Sequence, residues 1–326
     1  MREEKNQTFA RDFILLGLLD PDWFGLLFLT LILIIFMVTI MANTVLIFLI
    51  HCDNRLHTPM YFFLRHLSFI DILNISNIVP KMTSNFISGR KSITFAGCGL
   101  QIFLYVIFAD AECLILAVMS YDRYIAICHP LRYSVFMNQR ISVLMATGCW
   151  LGGIINSTMH TTYVLLLPFC GTRVIDHFFC EIPAMLKLSC IDTSHYEEGV
   201  FVSAVFFLLI PLSIILASYG LILRSVLHMK SMEAQKKAFS TCSSHLAVVA
   251  MYYGSAIFTY MRPKSYHTPG QDKVIAISYI ILAPMLNPII YSLRNKDVLG
   301  ALKKVSGKAL SHRNEYFLKI RTNAHR

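Results

Sequence analysis

The fold this sequence predicts is an all-α integral membrane protein, a bundle of seven transmembrane helices. Two observations carry that expectation. Only 15% of the 326 residues are charged and 56% are hydrophobic, whereas about a quarter of a soluble domain is charged. The deficit is also concentrated: residues 24–50, 141–167, 199–223, 238–261 and 274–293 contain no Asp, Glu, Lys or Arg. Each of these windows supplies the roughly 20 residues with which a helix crosses a hydrocarbon core of about 30 Å. Two further windows, 58–80 and 99–121, are apolar but carry Arg65, Asp71, Asp110 and Glu112.

Taken in order, residues 1–23 form an N-terminal segment and the first helix covers 24–50. That run is too long for the 7–15-residue core of a signal peptide, and no A-x-A-like cleavage site follows, so it is expected to stay as a helix. The remaining helices are placed at about 58–80, 98–128, 141–167, 197–227, 236–261 and 272–293, with 294–326 as a tail. The connections are too short for a separate soluble domain, so the bundle 24–293 must bury its core helix against helix. Pro211 and Pro288 each free a backbone carbonyl and should bend helices 5 and 7. Asn287 is placed to satisfy groups freed beside Pro288.

Charge sets the orientation. With the N-terminus outside, the cytoplasmic segments hold 17 Lys and Arg, among them Arg55, Arg123, Arg132, Arg140, Arg224, Lys230, Lys236 and Lys237. Against them stand only Asp53, Asp122, Glu233, Asp297 and Glu315, while the outer segments carry 11 bases and 11 acids. The positive-inside rule therefore favours an extracellular N-terminus. A net charge of +10, mostly cytoplasmic, suits an anionic inner leaflet and an acidic protein partner. It is split among loops rather than gathered on one face, which argues against nucleic acid. Asn6 begins an Asn-Gln-Thr glycosylation acceptor usable only outside; Asn74 and Asn156 begin similar strings, but within spans. Cys98, Cys170, Cys180 and Cys190 fall on the outer side, where disulfides persist. Four cysteines allow three pairings.

Some residues are out of place in lipid. Asp71 and Glu112 lie at mid-membrane, where carboxylates are expensive, with Asn43 in helix 1 and Asn287 in helix 7 at similar depths. Two carboxylates close together in a low dielectric need a cation or a shared proton. Such a site holds a monovalent cation or a proton, or else the four residues form a purely structural polar network. Asp122-Arg123-Tyr124 stands where helix 3 reaches the cytoplasm. Asp110 lies about 100° round the helix from Ala109, turned toward helices 4 and 5. It is expected to pair with His160 or Thr161, or to select a ligand that carries a donor or a positive charge. No Ser/His, paired Asp or His/Cys set lies at a common depth, so an enzyme is not expected. A transporter is disfavoured because no inverted repeat or paired broken helices are present.

These residues form a pattern. Asp122-Arg123-Tyr124 with Cys98 upstream, Asn43, Asp71, Trp150, Pro211 with Tyr219, and Asn287-Pro288-Ile289-Ile290-Tyr291 resemble rhodopsin-like G-protein-coupled receptors. Three longer strings narrow the resemblance to the odorant receptors: Leu56-His57-Thr58-Pro59-Met60-Tyr61, the run from Met119 to Cys128, and the run from Lys237 to Leu246. Ser218-Tyr219 and Pro284-Met285-Leu286-Asn287-Pro288 complete the match, which covers residues 9 to about 305. Ser120 stands where Ala is usual, Ala42 where Gly is usual, and Tyr252-Tyr253-Gly254 for a more common Phe-Tyr-Gly. Helix 6 lacks the Trp–Pro pair of most rhodopsin-like receptors, which makes Tyr253 the reporter residue for its hinge.

The resemblance implies Cys98–Cys180 and Cys170–Cys190 disulfides and a short amphipathic helix after helix 7. It implies a sodium or proton site at Asp71 and Glu112 with Asn43 and Asn287, and no other metal or cofactor. His177-Phe178-Phe179-Cys180-Glu181 is similar to a metal-binding string proposed for the family. A disulfide at Cys180 removes its thiolate, so His177 and Glu181 are expected to hydrogen-bond each other instead. Arg123 would be held by Asp122 at rest and swing toward Tyr219 and Tyr291 on activation. With Tyr124, Asn287 and Pro288, these residues would open a crevice for a helix of a stimulatory, olfactory-type heterotrimeric G protein, raising cyclic AMP. The ligand would be a small, mostly apolar volatile molecule in the outer half of the bundle. Its expected lining is Ile102, Tyr105, Val106 and Ala109 of helix 3 with Ser203, Ala204 and Phe207 of helix 5. Tyr253, Ala256, Ile257 and Tyr260 of helix 6 and Ile277 and Ile280 of helix 7 complete it. Tyr105 stands where amine receptors carry an acid, so an amine bound at that point is not expected. The implied location is the plasma membrane, with lipid, odorant and G protein as partners.

Overall fold

The computed structural model describes residues 12–18, 20, 22–229, 231–261, 268–293, 295 and 297–304. Its seven long helices are α1 (Trp23–Cys52), α2 (Pro59–Ser88), α3 (Phe95–Cys128), α4 (Gln139–Leu166), α5 (Ser194–Leu227), α6 (Met232–Tyr260) and α7 (Pro269–Leu293). Asn6, the tail beyond 304 and the side chains of Lys237 and Tyr260 lie outside the described residues.

The helix ends follow local chemistry. Asp22 caps α1 by accepting from the Gly25 amide at 2.7 Å. Thr94 caps α3 and Asn138 caps α4 in the same way, each satisfying an orphan N–H of a first turn. Pro59 opens α2, where a missing N–H costs nothing. Gly89 closes it with φ 66°, a conformation glycine adopts without steric cost. Helix α2 continues past Lys81 to Ser88. The charge-free window marks the hydrocarbon crossing, and the helix itself runs on beyond it.

Six helices are long and apolar enough to span a membrane by length and composition. The exception is α6, whose 29 residues include Ser240, Ser243, Ser244, His245, Tyr252 and Tyr253. Those groups need not face lipid: His245, Tyr252 and Tyr253 are all buried in the bundle. By contrast, Trp23, Phe24, Leu27, Leu31, Met37, Met41 and Phe48 of α1 are exposed, as a lipid-facing stripe should be.

Helix α3 is the axis, packing against α2, α4 and α5. At its crossing with α4, a Cβ on Gly153 would sit 2.8 Å from the Ile107 carbonyl and 3.4 Å from Asp110 Cβ, so only glycine allows that approach. Helices α5 and α7 each contain one π turn, Val205–Leu209 and Ser278–Leu282. Each precedes a proline closely, Pro211 and Pro284. A proline removes one i to i−4 bond, and widening the turn before it is one way to relieve the clash. Pro288 lies inside α7 and frees the Pro284 carbonyl. Asn43, not Asn287, answers it: Asn43 Nδ2 donates to Pro284 O at 3.0 Å.

A three-stranded sheet that the sequence reading lacked closes the outer end. Strand β1 (Phe13–Leu15) lies between β2 (Ser92–Ile93), antiparallel, and β3 (Val174–Ile175), parallel. Phe13 and Leu15 point inward and are buried while Ile14 is 45% exposed. Phe13 packs on Phe95 and Phe169. The long loop between α4 and α5 is stapled by Cys98–Cys180 and Cys170–Cys190 disulfides. Past α7 a further helix covers 297–304, with Val298 and Ala301 buried and Lys303 and Lys304 exposed. It docks on the first inner loop, where Lys304 lies 3.9 Å from Asp53, and just before it Asn295 bonds to the Tyr61 hydroxyl of α2.

Candidate functional site

Three layers of polar chemistry lie along α3. The outermost is a cavity of about 100 Å³ between α3, α4, α5, α6 and α7. A single water fills roughly 10–15 Å³ on the same measure, so the space fits a small organic molecule. Tyr105, Val106, Ala109, Ser203, Ala204, Phe207 and Ala256 line it. Among the expected lining residues, Ile102, Tyr253, Ile257, Ile277 and Ile280 do not. Ile102 and Ile280 are fully buried in the outer packing cluster. Tyr253 turns its hydroxyl to the Cys113 carbonyl at 2.8 Å, and its neighbour Tyr252 lines the cavity instead, bonded to Ala109 O at 2.7 Å. Consecutive helical residues differ by about 100°, so which of two adjacent tyrosines faces inward depends on the helix's rotation.

Helix α4 enters the lining with Asn156 and His160, which the sequence reading did not place there. Asp110 lines the same cavity and pairs with neither His160 nor Thr161. Its Oδ2 accepts from Asn156 Nδ2 at 2.7 Å, and Asn156 Oδ1 accepts from the Ser203 hydroxyl at 2.9 Å. His160 is engaged by Tyr196 at 2.8 Å. The signal was present: Asn156 is the one amide in the charge-free window 141–167, one turn from His160, and buried amides seek partners.

The loop above forms a lid. Cys180 N donates to Gln101 Oε1 at 2.8 Å, next to the disulfide, and Phe178 and Phe179 are fully buried. Ile182 reaches the cavity, and Tyr279, which also lines it, donates to Glu181 at 3.2 Å. His177 does not hydrogen-bond Glu181. The two are 3.8 Å apart, and burial lowers the His177 pKa to about 4, so the imidazole is neutral; it stacks on Phe178 and meets Phe179 edge to face. No cluster of three or more His, Cys, Asp or Glu occurs among the described residues.

The middle layer holds the buried carboxylates. Asn287 Nδ2 lies 3.2 Å from both Asp71 oxygens. Glu112 Oε1, Asn287 Oδ1, Asn43 Oδ1 and Asn74 Oδ1 are buried without hydrogen-bond partners. The unpaired oxygens of Glu112 and Asn287, with Asp71 bonded to Asn287, have the chemistry to hold a small monovalent cation.

The inner layer centres on Arg123, which is 4% exposed. Asp122 does not hold it. Residues i and i+1 of a helix point about 100° apart, and Asp122 instead accepts from Tyr133, in the one-turn helix Tyr133–Phe136, at 2.7 Å. Arg123 Nη1 crosses to α6 and donates to Thr241 O at 2.6 Å. Tyr219 pairs with His245 at 2.7 Å, and the Tyr291 hydroxyl is buried without a partner. Tyr124 bonds His129 at the membrane face. Arg123 thus straps the inner mouth shut, in a crevice lined also by Tyr61, Lys236, Ser240, Thr241, Ser244 and Tyr291.

Seven helices with a small-molecule cavity near one face and a buried arginine strapping the other make this a transmembrane receptor. A family model for olfactory receptors matches residues 32–308, and the chain belongs to that family. It is 61% identical over 309 residues to human (Homo sapiens) olfactory receptor 2AJ1, covering 95% of this chain and 94% of the relative. Human olfactory receptor 2L8 is 54% identical over 95% of this chain and 99% of its own length. Olfactory receptor 2V1 of Mus musculus is 50% identical over 92% and 95%. The chain is therefore a multi-pass plasma-membrane receptor for odorants that couples to a G protein, not an enzyme.

Proposed function

We propose that the outer cavity is where the odorant binds and that its occupancy drives a stimulatory, olfactory-type G protein to raise cyclic AMP. The observation that carries this reading is the cavity itself. It is mostly apolar, with a linked Asp110–Asn156–Ser203 group on its α4–α5 side, the composition of a site that binds by area burial and orients by a few hydrogen bonds. The N-terminus and the disulfide-bonded loop are outside; the first turns of α6 and the 297–304 helix lie on the cytoplasmic side.

Transmission follows the axis of α3. A ligand against Ala109 and Tyr252 bears on the Tyr252 bond that joins α6 to α3. Moving α6 outward separates Arg123 from Thr241, frees it toward Tyr219 and Tyr291, and opens the crevice to a helix of the G protein. Asp71, Glu112, Asn287 and Asn43 hold a sodium ion or a proton between the two ends. Bound there, the cation offsets the carboxylates and stabilises the closed arrangement, in which Asn43 and Asn287 brace α7. The basic inner loops support docking of the G protein and contact with anionic lipid.

The test is an agonist screen in cells that express the full receptor with or without the olfactory stimulatory G protein. Volatile, weakly polar agonists should raise cyclic AMP only where that G protein is present. Equal responses without it, or agonist-dependent ligand flux, would reject the coupling.

A further inference from the structure

We propose that Asp110 makes this receptor a detector of small primary amines, the ammonium group docking on the carboxylate at the α4–α5 side of the cavity. The proposal rests on the outer cavity being the odorant site, and it names the ligand class.

The polar groups there are oriented. Ser203 donates to Asn156, Asn156 donates to Asp110 Oδ2, and the chain ends on the carboxylate. No described residue donates to Asp110 Oδ1, and Asp110 is half-buried on the cavity wall. No Lys or Arg lines the cavity. His160, the one other basic group on its wall, is turned to Tyr196. The site therefore offers an open acceptor on a carboxyl group whose charged form nothing from the protein balances. Phe207, Leu208, Val106 and Ala256 supply carbon and the Tyr252 hydroxyl is spent on Ala109 O; the Asn74 amide oxygen, on the α2 side, adds a neutral acceptor without charge.

A neutral odorant could fill this space but would leave the carboxyl group protonated, or charged at a cost in the low dielectric. An alcohol would add one neutral hydrogen bond. An ammonium would add a charge-assisted bond, roughly twice as strong, and cancel the charge. The geometry differs from that of an acid at the Tyr105 position. Asp110 is reached from the α4–α5 side, so the amine lies with its carbon skeleton toward Tyr252 and Phe207.

The experiment compares primary aliphatic and cycloaliphatic amines with the alcohols and ketones of the same skeletons, on the full-length receptor, reading cyclic AMP at matched surface levels. Amines should be at least ~10-fold more potent than their alcohols. Asp110→Asn, which keeps a partner for Asn156, should remove that advantage, the amines losing at least ~10-fold more potency than the matched alcohols. Asp110→Ser serves as a second variant should the amide disturb packing. Three results would overturn the proposal: amines no more potent than alcohols, no amine activating at all, or equal loss for both classes in both variants. The cavity reading fails separately, through neutral agonists that still act when the cavity is filled by Ala256→Phe.

Discussion

Replacing Arg123 with Ala should abolish agonist-stimulated cyclic AMP while leaving odorant binding within about twofold of wild type. The guanidinium is 4% exposed and makes a charge-assisted bond to Thr241 O at 2.6 Å. Such bonds contribute roughly 1.5–3 kcal/mol, a factor of about 10 to 150. In the resting receptor that bond links α3 to α6 across the inner mouth. On the proposed activation path the same group moves to Tyr219, Tyr291 or the G protein. Alanine removes both, so α6 loses its strap and the opened crevice loses its charged floor. Basal cyclic AMP can rise slightly, but the agonist increment should fall by at least ~10-fold. The outer cavity shares no residue with this crevice, which is why binding should survive. A normal agonist increment in the variant would show that coupling does not pass through Arg123.

Cys98→Ala should cost more than Cys170→Ala. The first bond closes a separation of 82 residues and the second only 20, and loop-closure stabilisation grows with the logarithm of that span. The larger difference is in what each holds. Cys180 pins the loop onto α3 beside Gln101, with Phe178 and Phe179 buried beneath it. Losing that anchor removes about 2–5 kcal/mol and unseats the lid over the cavity. Surface staining should drop to near background for Cys98→Ala and only partly for Cys170→Ala. Equal staining of both variants would mean that the lid gains no stability from its link to α3.

The fold was legible because the membrane imposes it. Charge-free windows of sufficient length have few alternatives in lipid, and the positive loops orient them. Helix α6 was found by the same rule despite its polar residues, since none between 238 and 261 is charged. What escaped the sequence escaped for identifiable reasons. Strands of two and three residues are too short to show a period, though Phe13-Ile14-Leu15 does alternate buried and exposed. Side-chain bonds to backbone carbonyls leave no trace in residue types. Arg123 to Thr241 O, Asn43 to Pro284 O and Tyr252 to Ala109 O all belong to that group. Helical phase was the third limit. Counting along α3 placed Tyr105, Val106 and Ala109 on the cavity wall, but one step of rotation exchanged Tyr253 for Tyr252 on α6. Asp110 was read as turned toward α4, where it lies, but its partner Asn156 is one turn from His160.

Filling the outer cavity tests the whole account most directly. Ala256 lines it from α6, and Ala256→Phe puts a ring into a space of about 100 Å³ with no charge or hydrogen bond altered. Measured as agonist dose–response at matched surface expression, with adenylyl cyclase stimulated directly as the control, potency should fall at least ~10-fold while the direct response stays unchanged. Unaltered potency for every agonist would place the odorant elsewhere and contradict the account.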